Sequence, residues 1–288
     1  MLNMNPFDLQ PTHDVAAALS LARAHGVPRL DAELVLADRL GLSRTRIMAF
    51  TETKLGVHAN ACALALARLA SAEPVAYVLG FKEFFGLRLA VTPAVLVPRP
   101  ETEHLVECLL ARLPEGPARL ADLGTGSGAL ALALAHARPA WEIHAVELSP
   151  AALAVAQANA SAHQLQVSWH LGSWCEPLPD LPFDAIASNP PYLAAADPHR
   201  FALRHEPTLA LIAGPGGHEQ LDLIALQARA KLRAGGWLAL EHGFTQGASV
   251  RLRLCQLGYQ NVASLRDYAG HERVSFGQRG SRQENSGQ

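Results

Sequence analysis

The sequence predicts an α/β protein in which a mostly parallel sheet of seven strands carries helices on both faces and follows a small helical domain. From residue 118 onward, β-rich and helical segments alternate, which is typical of a parallel sheet. Residues 13–72 instead repeat apolar side chains at helical spacing. The last two strand candidates have no helix between them, so we expect a hairpin and one antiparallel edge strand.

The N-terminal part reads as a helical domain that covers residues 1–73. Asp14 and Ser43 stand where N-caps are expected, and Gly26 and Gly41 stand where helices would end. A third helix is predicted from Ala59 to Ala70 by its spacing of apolar residues.

A β-hairpin is predicted to link the two domains. Residues 76–97 include a run of β formers, and Gly86 marks the turn. We therefore assign residues 74–98 to a hairpin linker. Pro100 followed by two acidic residues is typical of a helix start, and this helix is predicted to end near Arg112.

Residues 99–279 form the predicted α/β domain, and a polar tail over 280–288 is expected to be disordered. The strands of this domain are predicted at 118–123, 142–147, 167–171, 183–188, 236–241, about 261–266 and 272–277. Its helices are predicted at 128–138, 150–163, 219–233 and 246–257.

Composition and charge exclude several classes of protein. Of the 288 residues, 49% are hydrophobic and 17% are charged, and the formal net charge is −2. This balance is not that of a mainly disordered chain. It also argues against a large basic nucleic-acid footprint, and residues 1–75 carry as many acidic as basic side chains. No apolar run is long enough to span a membrane, and the first residues do not resemble a signal peptide.

The cysteines and histidines predict no metal site. The four cysteines lie far apart, without a CxxC pair, and are expected to be free thiols in a reducing compartment. The 13 histidines show none of the spacings typical of zinc sites.

The first chemical motif is a glycine-rich turn that runs from Asp122 to Gly128, between a predicted strand and a predicted helix. Its three glycines let the backbone approach a ligand closely, and the helix start supplies free N–H donors. Glu147 ends the next strand, about 20 residues further on, where a carboxylate can accept both hydroxyls of a ribose. The two features together favour a ligand that contains a nucleoside.

The second motif is Asn189-Pro190-Pro191-Tyr192, directly after an apolar strand. The prolines stiffen the loop and remove two N–H donors, so the Asn189 side-chain oxygen and the Pro190 carbonyl remain as acceptors. Two acceptors beside the aromatic face of Tyr192 suit an NH₂ group that is conjugated to a π system.

These motifs together resemble the amino-methylating group of the class I S-adenosylmethionine-dependent methyltransferases. Further segments narrow the resemblance to the N5-glutamine methyltransferases of peptide chain release factors. They are Glu73–Tyr77, Pro98–Glu103, Arg204–Pro207, Leu240–Gly243 with Gln246 and Gly247, and Gly270–Arg273.

The resemblance implies a Rossmann-like class I methyltransferase domain, S-adenosylmethionine as cofactor, and N-terminal helices that dock the substrate. The implied reaction methylates the glutamine of the Gly-Gly-Gln motif in class 1 release factors. We expect a cytoplasmic monomer that contacts neither nucleic acid nor membrane directly.

The resemblance also assigns roles to particular residues. The cofactor would be cradled by Gly124, Thr125, Gly126, Ser127 and Gly128, with Glu147 on its ribose, Trp174 beside its adenine, and Asn189 between cofactor and substrate. The substrate pocket would be formed by Asn189, Pro190, Pro191 and Tyr192, of which Asn189, Pro190 and Tyr192 are the expected catalytic residues.

Several alternatives remain open from the sequence. Glutamine methylation of a ribosomal protein, adenine-N6 methylation of DNA, and a non-catalytic nucleoside-binding module all fit part of the pattern. Glu101 and Glu103 could line the cofactor cleft or stabilise a helix start. His205 and Glu206 could shape a substrate-side loop or be structural.

Overall fold

A computed structural model describes residues 7–280 of the chain. The chain divides into two compact units, of which the first ends at Phe81 and the second begins at Lys82. The predicted disordered tail lies outside the described residues, except for Gly280. No helix between residues 7 and 280 is both long enough and apolar enough to cross a membrane.

The first unit is helical. Its helices are α1 (Val15–Ala24), α2 (Arg29–Leu40), α3 (Arg44–Ala49), α4 (Ala59–Ala70) and α5 (Val75–Leu79). The side chains of Asp14 and Ser43 accept hydrogen bonds from Ala17 N and Arg46 N, so both predicted N-caps are confirmed. Glu33 is buried in this unit, and its carboxylate accepts one hydrogen bond each from Arg29 and Arg44. The buried charge is therefore paired, as burial requires.

The linking hairpin is shorter than the predicted span 76–97. Strands β1 (Phe81–Phe84) and β2 (Leu87–Ala90) flank a two-residue turn in which Phe85 and Gly86 both have positive φ, the pattern of a type I′ hairpin turn. The residues before β1 form helix α5 instead, because Pro74 precedes it with a helix-compatible φ and Gly80 ends it in the left-handed conformation. Prolines also keep the segment after β2 out of a strand.

The sheet of the second unit has seven strands in the order β10-β11-β9-β6-β3-β4-β5. They are β3 (Arg119–Leu123), β4 (Glu142–Glu147), β5 (Ser168–Leu171), β6 (Phe183–Ser188), β9 (Leu232–Glu241), β10 (Tyr259–Arg266) and β11 (Glu272–Arg279). The five strands from β9 to β5 pair in parallel. Strand β11 pairs antiparallel with β9 and with the edge strand β10. The predicted fold class, including the antiparallel edge, is confirmed.

Helices cover both faces of this sheet. They are α6 (Glu103–Arg112), α7 (Ala129–Ala137), α8 (Pro150–His163), α9 (Glu219–Lys231) and α10 (Gly247–Gln256). Leu120 of β3 packs in a core with α6 and α7, whereas Ala121 and Leu123 pack on the opposite face with α9 and α10. The central strand is therefore buried on both sides, as parallel strands require. A short parallel pair, β7 (Leu193–Ala194) with β8 (Ile212–Gly214), was not predicted.

One buried amide ties α8 to the hairpin and to the glycine-rich turn. Asn159 is 2% exposed, and its side chain accepts a hydrogen bond from Ala90 N and donates to Ala90 O and Ser127 O. The amide side chain thus satisfies three backbone groups of segments that are distant in sequence.

Replacement of Asn159 by Ala is expected to lower the free energy of unfolding by about 3 kcal/mol, because two part-buried hydrogen bonds and one buried one are lost. Urea unfolding measures the change. Gln157→Ala is the matched control, since this amide is exposed on the same helix, and it should stay within about 0.5 kcal/mol of the wild type. A comparably small loss for Asn159→Ala would contradict the structural role.

Candidate active site

The predicted motifs meet at one edge of the sheet. Strands β3, β4, β5 and β6 run in parallel, so the loops after Leu123, Glu147, Leu171 and Ser188 all leave from their carboxyl ends. Open α/β sheets bind ligands at this edge. A cleft of about 220 Å³ lies there. Its lining includes Gly124, Glu147, Trp174, Asn189 and Pro191, and a smaller recess shares Gly124 and Asn189 with it.

Backbone hydrogen bonds hold the glycine-rich turn against β4. The N–H groups of Gly124 and Thr125 both donate to the carbonyl of Val146, at 2.8 and 3.0 Å. Gly124 has φ +73, and a Cβ on it would lie 3.1 Å from the Trp174 ring. A side chain here would therefore be strained and would push into the wall of the cleft. The smaller recess is lined by Thr125, Gly126 and Ser127, whereas Gly128 is buried at the start of α7.

The buried side chain of Asp122 holds the glycine-rich turn in place by hydrogen bonds. Its carboxylate is 2% exposed and accepts hydrogen bonds from the Thr125 hydroxyl at 2.6 Å and from Ala131 N at 3.2 Å. Burial raises the pKa of Asp122 to about 7, although both hydrogen bonds act in the opposite direction. Since these donors lie on the turn and on α7, the carboxylate joins the turn to the helix that follows it.

Glu147 lies at the end of β4 with its carboxylate in the cleft. One of its oxygens accepts a hydrogen bond from Gly126 N and the other from Ser149 N, both at 2.9 Å. A carboxylate has about four acceptor positions, so positions remain for the hydroxyls of a ligand. The two backbone bonds hold the carboxylate in place before a ligand arrives.

Trp174 forms part of the cleft wall. Its ring packs against Gly124, and its indole N–H donates to Gln220 Oε1 at 3.0 Å. Four apolar side chains complete the lining, namely Leu148, Leu209, Ile212 and Leu223. These four residues and Gln220 were missed from the sequence, because nothing in their local pattern distinguishes them from other surface residues.

A nucleoside cofactor fits this arrangement. The cleft offers a flat aromatic wall and apolar side chains for a base, with the Glu147 carboxylate nearby for ribose hydroxyls. The recess beyond Gly124 and Asn189 is lined by Arg99, Thr102 and the glycine-rich turn, which provides polar surroundings for the amino-acid end of S-adenosylmethionine. The residues present therefore suit the cofactor that the resemblance implied.

Asn189 and Pro190 present acceptors at the same edge. Asn189 follows β6 and borders both the cleft and the recess, and its Nδ2 donates to Thr102 Oγ1 at 3.0 Å. Between residues 7 and 280, no protein group donates a hydrogen bond to Asn189 Oδ1 or to the Pro190 carbonyl. Both oxygens are therefore without a donor, but only Asn189 lines the cleft and the recess, whereas Pro190 is buried beside it.

Pro191 and Tyr192 continue this loop. Pro191 lines the cleft, and the backbone carbonyl of Tyr192 accepts a hydrogen bond from Gln246 Nε2 at 3.2 Å. Burial, followed by the charge of Glu241, raises the pKa of Tyr192 to about 12. The phenol is therefore neutral at physiological pH.

Thr102 and Glu241 were not among the predicted site residues. Thr102 is 5% exposed and its Oγ1 accepts a hydrogen bond from Asn189 Nδ2, and Glu241 is 1% exposed. Glu241 ends β9, and its Oε2 has no hydrogen-bond partner within the described part of the chain. The sequence signal was their place in the Pro98–Glu103 and Leu240–Gly243 segments, but their burial and the bond from Asn189 to Thr102 are visible only in the tertiary structure.

Other residues with open sequence interpretations have structural contacts. Glu103 accepts a hydrogen bond from Phe85 N in the hairpin turn. Glu206 is buried, where it accepts from Val97 N and forms an ion pair with Arg99. His242 Nε2 lies 2.8 Å from Ser275 Oγ.

Across residues 7–280, no cluster of three His, Cys, Asp or Glu side chains could hold a metal ion.

The buried carboxyl of Glu241 makes stability depend on pH. Burial raises its pKa from 4.5 to about 7. Because the folded pKa is the higher one, the folded state binds more protons between these values, and stability falls as pH rises through them. The wild type should therefore lose stability between about pH 5 and pH 8, whereas Glu241→Gln lacks this titrating group. The free energy of unfolding of Glu241→Gln minus that of the wild type should increase over this range. Urea unfolding at both pH values tests this, and a constant difference would contradict it. The similar effect of Asp122 is common to both proteins and cancels.

Comparison with known proteins identifies relatives of this chain. Residues 15–80 match the family model PrmC N-terminal domain, and residues 101–205 match Methyltransferase small domain. A release factor glutamine methyltransferase from Coxiella burnetii is 44% identical over 88% of this chain and 92% of its own length. Those from Escherichia coli and Salmonella typhimurium are 44% and 46% identical over 92% of this chain and 97% of theirs.

Solved structures support the fold. A methyltransferase from Pyrococcus furiosus has a TM-score of 0.53 at 22% identity, over 68% of this chain and 91% of its own. The T. Thermophilus 16S rRNA N2 G1207 methyltransferase in complex with AdoMet and guanosine has a TM-score of 0.50 at 22% identity, over 69% of this chain and 49% of its own. The cofactor of the family is S-adenosylmethionine. With relatives this similar over nearly their whole length, the chain belongs to the release factor glutamine methyltransferase family.

Proposed function

We propose that this protein transfers a methyl group from S-adenosylmethionine to the side-chain amide nitrogen (N5) of the glutamine in the Gly-Gly-Gln motif of class 1 peptide chain release factors. The observation that carries the proposal is the unpartnered acceptor Asn189 Oδ1, on a residue that lines a cleft that suits a nucleoside and is followed by the unpartnered carbonyl of Pro190. The names of the curated relatives support the same substrate.

The reaction needs positioning more than acid–base chemistry. An amide nitrogen is a poor nucleophile because its lone pair is delocalised into the carbonyl. When bound, S-adenosylmethionine supplies a methyl group that is activated by a sulfonium. The main task of the protein is therefore to hold the substrate nitrogen in line with that methyl group, which removes much of the entropic barrier.

Asn189 and Pro190 would fix the nitrogen through its two protons. Each proton is donated to one acceptor, Asn189 Oδ1 or the Pro190 carbonyl, so the lone pair is directed away from both of them. These oxygens also stabilise the positive charge that develops on the nitrogen as it becomes pyramidal. Tyr192 would pack against the amide plane. Its neutral phenol is not needed as a base, because the nitrogen proton becomes acidic only after transfer.

We assign the other predicted residues to cofactor binding and docking. Glu147 would bind the ribose, Trp174 would flank the adenine, and residues 124–128 would surround the remainder of the cofactor. Residues 1–73 would dock the release factor, residues 74–98 would link the domains, and residues 99–279 would carry out methyl transfer. The enzyme would act as a cytoplasmic monomer, with a folded protein as its partner rather than nucleic acid or membrane.

The test is methyl transfer from labelled S-adenosylmethionine to separate candidate substrates. Purified release factor, the same factor with its Gly-Gly-Gln glutamine replaced by alanine, ribosomes, and DNA are incubated with the enzyme. We expect label on the unaltered release factor and none on the alanine variant. Label on a ribosomal protein or on DNA, with none on the release factor, would overturn the proposal.

A further inference from the structure

The indole of Trp174 is held at both of its ends. Its six-membered ring lies against Gly124, where an added Cβ would come within 3.1 Å of Cζ3. At the five-membered ring, the indole N–H donates to Gln220 Oε1 at 3.0 Å. All three residues line the same cleft. The two contacts together oppose rotation of the ring out of the cleft wall.

The backbone of Trp174 has an unusual conformation. Its φ is +43, in the left-handed region that a bulky side chain seldom adopts. The turn that contains it is closed by a hydrogen bond from Glu176 N to Ser173 O at 3.0 Å. A strained backbone of this kind persists only where neighbouring contacts maintain it, and such sites are often functional. The contacts around this turn therefore determine whether the ring stays in the wall.

Two glutamines of α9 supply contacts to this turn. Gln220 and Gln227 are seven residues apart, which is two helical turns, so they share one face of α9. Gln227 Oε1 accepts a hydrogen bond from Cys175 N at 3.1 Å and so holds the backbone of the turn. Gln220 holds the indole instead. Its bond therefore acts on the side chain of Trp174, while its neighbour on the helix anchors the main chain.

A second hydrogen bond fixes the orientation of the Gln220 amide. Its Nε2 donates to the carbonyl of Ala213 in β8 at 3.0 Å. A carbonyl can only accept and an indole N–H can only donate. A flipped amide would present its NH₂ to the indole N–H and its oxygen to the carbonyl, and both contacts would be repulsive. The amide therefore presents its oxygen to Trp174.

We propose that Gln220 is a positioning residue for the cofactor, which holds the Trp174 ring in place as a preformed wall for the adenine of S-adenosylmethionine. A wall that is already fixed loses less freedom when the cofactor binds, and binding is tighter as a result. The inference rests on the assignment of Trp174 to the adenine and is independent of which substrate is methylated. Both ends of the Gln220 amide have protein partners, so this residue acts through Trp174.

The first test is cofactor binding to Gln220→Met. Methionine has a similar length and suits a helix, but it cannot accept the indole proton. The Kd for S-adenosylmethionine, measured by isothermal titration, should rise about 3- to 10-fold, the effect of one neutral hydrogen bond. Gln157→Met is the matched control, since this side chain is exposed on α8, and it should bind like the wild type. An unchanged Kd for Gln220→Met would overturn the proposal.

The second test observes the indole N–H groups by nuclear magnetic resonance in the protein without cofactor. The chain has four tryptophans, and the signal of Trp174 is the one that disappears in Trp174→Phe. In Gln220→Met this signal should shift and its proton should exchange faster with water, whereas the other three should remain in place. An unshifted Trp174 signal would refute the inference even if the Kd had changed.

The third test is a double-mutant cycle on the Kd for S-adenosylmethionine. Phenylalanine at position 174 retains an aromatic ring but has no N–H, so Gln220→Met should cause little further loss in a Trp174→Phe background. Additive losses would show that Gln220 acts on the cofactor by another route and would overturn the proposal.

Trp174→Ala separates this inference from the assignment beneath it. If the alanine variant binds S-adenosylmethionine like the wild type, Trp174 does not flank the adenine and both fail. If it binds weakly while Gln220→Met binds normally, only the role of Gln220 is refuted. The proposed function is judged apart from both, by methylation of the release factor with the wild-type enzyme.

Discussion

Asn189→Ala is expected to lower kcat for release factor methylation by about 100- to 1000-fold, the range found when one preorganised polar contact to the developing charge is removed. The substitution deletes Oδ1, one of two acceptors that have no partner within the described residues. The substrate nitrogen then keeps only the Pro190 carbonyl, and its lone pair is no longer directed at the methyl group. Single-turnover assays with labelled S-adenosylmethionine measure the loss.

Cofactor binding separates this effect from general damage. Asn189 borders the cleft but supplies only one part of its wall, so the Kd for S-adenosylmethionine should stay within about threefold of the wild type, a difference of less than 1 kcal/mol. Gln157→Ala is the matched control, since this amide is exposed on α8 of the second unit. If Asn189→Ala turns over at the wild-type rate, the proposed mechanism is wrong.

Glu147→Ala is expected to weaken S-adenosylmethionine binding by about 100-fold, since two charge-assisted hydrogen bonds of roughly 1.5 kcal/mol each would be lost. The carboxylate is held by Gly126 N and Ser149 N and lines the cleft. The alanine variant also leaves both N–H groups without their acceptor, so the glycine-rich turn should become less rigid. Isothermal titration with S-adenosylmethionine measures the Kd.

A second acid on the same strand provides the control. Glu142 begins β4, whereas Glu147 ends it, and Glu142 instead forms an ion pair with Arg119. Glu142→Ala should therefore leave the Kd for the cofactor unchanged. Equal Kd values for the wild type and Glu147→Ala would exclude Glu147 from the cofactor site.

Helix α8 and the segment 76–80 show where the fold could be predicted from the sequence and where it could not. Helix α8 occupies Pro150–His163, as expected, because Ser149 caps it and Pro150 suits its first turn. The 76–80 segment was assigned wrongly to a strand because its residues have good β propensity. Pro74, Gly80 and the burial of Tyr77 and Val78 favour a helical turn instead.

The site was predictable where its chemistry lies in contiguous residues. The turn from Asp122 to Gly128 and the loop from Asn189 to Tyr192 each carry their chemical features within a few positions. The apolar wall was not predictable, since Leu148, Leu209, Ile212 and Leu223 come from a loop, a 3-10 turn, the short strand β8 and helix α9. Their only common property is their position in space.

The sequence by itself determined the fold class, the family resemblance and the candidate residues, because periodicity, glycine spacing and short motifs are local properties of the chain. Only the tertiary structure decided what those residues contact. The sheet order places β9 beside β6, so the buried Glu241 at the end of β9 lies next to the strand that Asn189 follows, and the Asn189 amide donates to Thr102, 87 residues away in sequence. The orientation of an amide depends on donors and acceptors that are far apart in sequence, so no local pattern could have specified it.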